Sequence, residues 1–215
     1  MAWFQLDPQS IATRARAAGS PVPTLGASLT RGIVGFTLVS IAAFIPWAVF
    51  GRWFHLHLGK SGEVAMYTAC AVVFLALTSP LLHRLIIGPG SVSRFYKVFG
   101  ITFTAYSIAW IFGWMSLRGH PGSLAGLFLG TAVMACLLVA AFDALRSIVK
   151  VFLSLFILNT AGYFLGGVSE HYLMSVHKVS AMLSWGLFYG IGLGAGLGLA
   201  FHICQQRART LLAGG

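Results

Sequence analysis

Seven histidines carry most of this chain's capacity for coordination chemistry, and they are unevenly placed. His55, His57, His120, His171 and His177 fall at one set of ends of the hydrophobic stretches, with Glu170 beside them, whereas His83 and His202 fall at the opposite ends. Neutral imidazole and carboxylate oxygen are donors that zinc, copper and iron accept, and a catalytic zinc centre takes about three of them. One reading is therefore a metal site drawn from His55, His57, His120, Glu170, His171 and His177. A related reading is haem, since two histidines from different helices can ligate one iron, with His83 and His202 as a pair. The spacing restrains both. His55 and His57 are adjacent-but-one, so on a helix they point about 200° apart and cannot share an ion. Glu170-His171 followed by His177 is not an H-E-x-x-H arrangement. The competing reading sets these histidines with Trp53 and Tyr172 in an interfacial aromatic belt.

Other chemistry is sparse. Asp7 and Asp143 lie on the side opposite most histidines, so no Ser-His-Asp set can be assembled, and no phosphate-cradling P-loop is present. Cys70, Cys136 and Cys204 are too few and too scattered for a disulfide scaffold. Nothing here demands an enzyme or specifies a cofactor. The polar residues in the middle of the apolar stretches are neutral, among them Ser40, Thr68, Tyr106, Ser107, Thr131, Asn159, Thr160 and Ser184. Asn159 is the costliest to leave unpaired in lipid. It can bind a neutral solute together with Tyr106 and Ser107, or it can make an interhelical hydrogen bond, which is the commoner use. No Asp, Glu, Lys or Arg lies centrally in any stretch, which counts against a proton pump, a voltage sensor or an acidic cation-channel ring.

The elements that must position these residues follow from composition. Of 215 residues, 58% are hydrophobic and only 8% charged, against about 25% charged in a soluble domain. The net charge of +10 does not indicate a nucleic-acid partner, because a mean hydropathy of +0.86 leaves no water-soluble body to display a basic surface. A spanning helix needs about 20 apolar residues. Six stretches qualify, near Gly32–Val49, Val64–Leu82, Val98–Leu117, Leu124–Phe142, Val151–Gly167 and Val179–Cys204. Backbone groups must pair internally in lipid, so long apolar runs without strand-like alternation predict an all-α, polytopic helix bundle of six transmembrane helices.

Arg14, Arg16, Arg31, Arg84, Arg94, Lys97, Arg146, Lys150, Arg207 and Arg209 fall on one side, leaving only Arg52, Lys60, Arg118 and Lys178 on the other. The positive-inside rule then places both termini in the cytoplasm and the chain in a plasma membrane, bacterial inner membrane being the expected setting. Residues 1–31 read as a cytoplasmic tail, 32–206 as the six-helix domain and 207–215 as a short cytoplasmic tail. Within the first tail, Asp7-Pro8 reads as a helix start, and Trp3, Phe4, Leu6 and Ile11 would face the headgroup layer as an interfacial amphipathic helix.

Two packing signals stand out. Gly186, Gly190, Gly194 and Gly198, spaced by four, strip one face of the sixth stretch. Such a face admits another backbone closely, either as a seam for a homo-oligomer or membrane-complex partner, or against a helix of the same chain. Ser40-Ile41-Ala42 with Trp47 is echoed by Ser107-Ile108-Ala109 with Trp114, which permits three helical hairpins. Three functional readings result: a small-solute permease or channel-like transport protein; a membrane metal or haem protein acting as redox carrier or enzyme; and a non-catalytic subunit of a membrane complex. The first draws most on the neutral polar midplane.

Overall fold

The computed structural model describes residues 4–214, and among them there are helices and no strands. Helix α1 spans Pro8–Ala17, α2 Leu25–Leu58, α3 Gly62–Leu82, α4 Ser91–Leu117, α5 Gly119–Ala141, α6 Ile148–Leu173, α7 Lys178–Cys204 and α8 Gln206–Ala213. Five segments are long and apolar enough to cross a membrane, and the first, Leu25–Leu85, contains both α2 and α3 joined by a single tight turn. The chain is an integral membrane protein by this measure. Each apolar stretch of the sequence lies on its own helix, but α2 overruns its stretch at both ends. Its 34 residues reach about 51 Å, well beyond a hydrocarbon core of about 30 Å. Pro46 lies inside it without ending it.

Helices α2 to α7 form a ring in chain order. Each packs on the next, and α7 closes the circle against α2; the α3–α4 seam is the loosest of these contacts. The hairpins α2–α3, α4–α5 and α6–α7 are each closely packed. The glycine stripe explains the closure. A Cβ on Gly190 would stand 2.7 Å from Thr37 Cα, one on Gly198 would stand 2.6 Å from the Ser28 carbonyl oxygen, and one on Gly194 would collide with the Gly32 carbonyl. Gly186 faces the Phe44 ring, while Gly192 on the next face meets Leu158 and Gly162 of α6. Gly186, Gly190, Gly194 and Gly198 thus meet α2 of the same chain.

The interior of the ring is aromatic. On α4, Phe95, Phe99, Phe103 and Tyr106 stack in succession with centroids 5.5, 5.0 and 5.9 Å apart. Phe36 of α2 lies against Phe74, Phe99, Phe103 and Tyr189, drawing α2, α3, α4 and α7 into one cluster.

At one end, α1 and α8 pack together as a lid on the ring. Helix α1 starts as its sequence dictates: the Asp7 carboxylate accepts from the Ser10 N–H at 2.9 Å, and Pro8 occupies the first turn. Its apolar face does not meet lipid, however. Leu6, Ile11 and Ala15 are buried in the same core as Leu85, Ile87, Phe142, Phe201 and Ala208. Protein and lipid are equally apolar neighbours, and the ring end offers Leu6 and Ile11 the closer-packed one. Trp3 lies outside the described residues.

Burial pushes the Asp7 carboxyl up, but the hydrogen bonds from Ser10 and the charge of Arg14 outweigh it, and its net shift is downward. A carboxyl with a depressed folded pKa stabilises above its unfolded pKa of about 3.9 and loses that contribution as pH falls through the folded value. Asp7→Ala should therefore cost about 1 kcal/mol at neutral pH, the usual worth of an N-cap, and its difference from the parent should vanish in acid. Thermal melts of both proteins from pH 7 down through the acid range check this, the gap between them narrowing as pH falls.

Candidate functional site

A cavity of about 300 Å³ opens in the half of the ring away from the termini. Phe44 comes from α2; Tyr67, Cys70, Ala71 and Phe74 from α3; Phe103, Tyr106, Ser107, Trp110 and Ile111 from α4. Tyr163 of α6 and Trp185 and Tyr189 of α7 complete the wall. The aromatic walls brace one another: Trp185 packs edge-on against Phe44, Trp47 and Tyr163 with centroids 5.9, 5.7 and 5.5 Å away. The Trp185 indole N–H also donates to the Tyr163 carbonyl at 3.2 Å, which fixes the ring's orientation. Tyr67 and Ile111 line the cavity and are also exposed on the bundle surface, so the cavity reaches the outside at the loose α3–α4 seam.

The cavity's polar element is small and buried. The Tyr106 hydroxyl, on a residue only 4% exposed, accepts from Asn159 Nδ2 at 2.9 Å. Asn159 is fully buried, and its Oδ1 has no hydrogen-bond partner among the described residues. Ser107 donates to the Phe103 carbonyl at 2.9 Å, one turn back on α4. Tyr106 and Ser107 thus line the cavity, while Asn159 stands behind it, linked through Tyr106. No carboxylate, amine, guanidinium or imidazole lines this space. Its chemistry is stacking and one or two neutral hydrogen bonds, suited to an uncharged solute with a flat or unsaturated body and an oxygen.

The aromatic wall has a signal in the sequence. Phe95, Phe99, Phe103, Tyr106, Trp110 and Trp114 recur every three or four residues along α4, which puts them on one helix face. That periodicity is the signal that marks the interior.

The histidines take separate roles. His57 stacks on Trp53 at 4.6 Å, and its Nδ1–H donates to the Trp53 carbonyl at 2.9 Å. His55 is exposed on the same helix. His120 leans on Phe164 and His171 on Tyr172. His177 caps α7, its Nδ1 accepting from the Ser180 N–H at 3.2 Å. Glu170 lies in the last turn of α6. Among the described residues, no group of three or more His, Cys, Asp and Glu gathers closely enough to hold a metal ion. At the other end, His83 Nδ1–H turns back onto the carbonyls of Ser79 and Pro80, and the His202 carbonyl accepts from Arg209 at 2.6 Å.

No protein-family model, curated protein or solved structure matches the chain.

Proposed function

We propose that the protein binds a small, uncharged, largely apolar solute in the aromatic cavity, admitting it sideways from the bilayer between α3 and α4. This narrows the small-solute transport reading of the sequence to a lipid-soluble substrate. The observation that carries it is the aromatic chamber with Tyr106 in its wall, held by the buried Asn159 behind it, and an opening at the loosest seam of the ring. In this reading all six long helices cross the membrane and both termini lie in the cytoplasm. The one-sided distribution of arginine and lysine supports the orientation, and the packing of α1 on α8 supports a shared terminal end.

The solute's body stacks among Trp110, Tyr163 and Trp185, and its oxygen reaches the Tyr106 hydroxyl. Tyr106→Phe then removes one neutral hydrogen bond, worth about 1 kcal/mol or roughly fivefold in affinity. Ser107→Phe fills the chamber and abolishes binding. The test is quenching of cavity tryptophan fluorescence by 4-bromobenzyl alcohol, with the full chain in detergent. Saturable quenching in the parent, weaker in Tyr106→Phe and absent in Ser107→Phe, is the expected pattern. Linear, unsaturable quenching that is the same in all three proteins would sink the proposal.

A further inference from the structure

The end of the ring that carries both termini is rich in guanidinium groups, and most of them are committed to the protein. Arg14 donates to Gln5, Arg16 to the Leu211 carbonyl, and Arg209 to the carbonyls of His202 and Pro23. Arg94 is buried and donates to the carbonyls of Pro89 and Gly90, while Arg207 pairs with Asp143 at 3.3 Å. Arg31 and Arg84 differ. Arg31 spends one nitrogen on the Arg84 carbonyl at 3.1 Å, and the Arg84 guanidinium has no partner among the described residues.

Both of these arginines line a separate cavity of about 460 Å³, bounded by the connector before α2 and by the turn between α3 and α4. Its far wall is the start of α4. Gly88 and Gly90 have φ of +90° and +66°, a left-handed backbone that glycine adopts without penalty, and they turn the chain so that α4 begins facing the cavity. Gly90 brings no side-chain cap to the helix. The first N–H groups of a 27-residue helix and the positive end of its dipole are therefore unopposed there. Ser91 is only 7% exposed, lines the same cavity, and its hydroxyl makes no hydrogen bond among the described residues. No carboxylate lines the cavity. Two guanidinium groups, a helix N-terminus and the unpartnered hydroxyl of a largely buried serine line one space with no anion supplied by the protein.

We infer that this cavity is a phosphate-binding site, formed by Arg31, Arg84, Ser91 and the N-terminus of α4. The phosphate comes either from the headgroup of an anionic lipid or from a soluble phosphorylated molecule. Lipid is within reach because Arg31 projects from α2 and Arg84 follows α3, both at the rim of the ring. A guanidinium pair grips phosphate through charge-assisted, paired hydrogen bonds, and the helix end adds N–H donors.

The full chain is placed in nanodiscs of phosphatidylcholine with or without phosphatidylglycerol, released into detergent, and its retained lipid read by native mass spectrometry. In parallel, lipid-free protein in detergent is titrated with inorganic phosphate by calorimetry. Arg31→Gln/Arg84→Gln is compared with Arg146→Gln/Lys150→Gln, which removes the same charge from exposed positions at the same end. Ser91→Ala removes the hydroxyl without changing charge. Retained phosphatidylglycerol that falls about tenfold or more in Arg31→Gln/Arg84→Gln, falls in Ser91→Ala and persists in the control pair establishes a headgroup site. Saturable phosphate binding with the same dependence, without lipid retention, establishes a soluble ligand. Absence of both in the parent, or equal loss in the control pair, overturns the inference. The parent's own preference for phosphatidylglycerol stands as a readout should the double variant fold poorly.

Discussion

Gly194→Ala should unfold well below the parent in a thermal melt, with a cost of about 1–3 kcal/mol, the range for overpacking a tight contact. The reason is the nature of what the new methyl meets. On α7 it collides with the Gly32 carbonyl, and its next neighbour is the Phe36 Cβ at 3.0 Å. Backbone cannot change rotamer, so α2 and α7 must separate, and that strains a seam running from Gly186 to Gly198. Gly100→Ala and Gly167→Ala are the controls, since a Cβ at either meets nothing within 4 Å. These should fall within about 0.5 kcal/mol of the parent. The contact is reciprocal, for a Cβ on Gly32 meets Gly194 and Gly198. Gly32→Ala combined with Gly194→Ala should therefore cost less than the two singles added, because the first methyl already opens the seam. Gly194→Ala melting together with Gly100→Ala would remove the basis for ring closure through this stripe.

Gln205→Leu should be the second severe change. Gln205 is 1% exposed, and its Nε2 donates to the Leu85 and Phe201 carbonyls at 2.8 and 2.9 Å while its Oε1 accepts from the Ile87 N–H at 2.9 Å. One side chain at the end of α7 thus supplies the hydrogen bonds for the buried turn between α3 and α4. Leucine keeps much of the volume and leaves the Ile87 N–H and Leu85 carbonyl unpaired at residues that are each 1% exposed. Two orphaned buried groups cost about 1–3 kcal/mol apiece, so a loss of roughly 2–6 kcal/mol is expected. Hydrogen exchange locates it: the Ile87 amide should exchange far faster in Gln205→Leu, while amides in the middle of α6 keep their protection. An unchanged Ile87 amide would mean that the turn holds itself. The turn also shapes the phosphate cavity, so its loosening should weaken phosphate binding there.

Much of the architecture was legible locally. Asp7-Pro8 announces the start of α1, each long apolar run becomes a helix, and glycines spaced by four announce a close helix contact. What stayed hidden shares one cause. A membrane helix is apolar toward lipid and apolar toward its neighbours, so no polar stripe distinguishes the two faces. The α4 aromatics show the periodicity of a face but not that it lines a chamber. Leu6 and Ile11 read as lipid-facing and are buried in the protein, because both surroundings suit them. The histidines suggest ligands by type, yet their rings lie on aromatic neighbours and helix ends.

By itself, the sequence determined residence in the membrane, the long helices, the one-sided basic charge and the neutrality of the interior. Each depends on properties summed along a single segment: transfer free energy, helix pairing of the backbone, and the count of charges at its ends. Tertiary structure alone decided that α7 closes on α2, that Tyr106 meets Asn159 across 53 positions of chain, and that α3 and α4 part enough to open a cavity. Those outcomes depend on shape between pairs of helices, glycine groove against backbone and ring against ring. Such a property belongs to two surfaces at once and is written in neither segment alone.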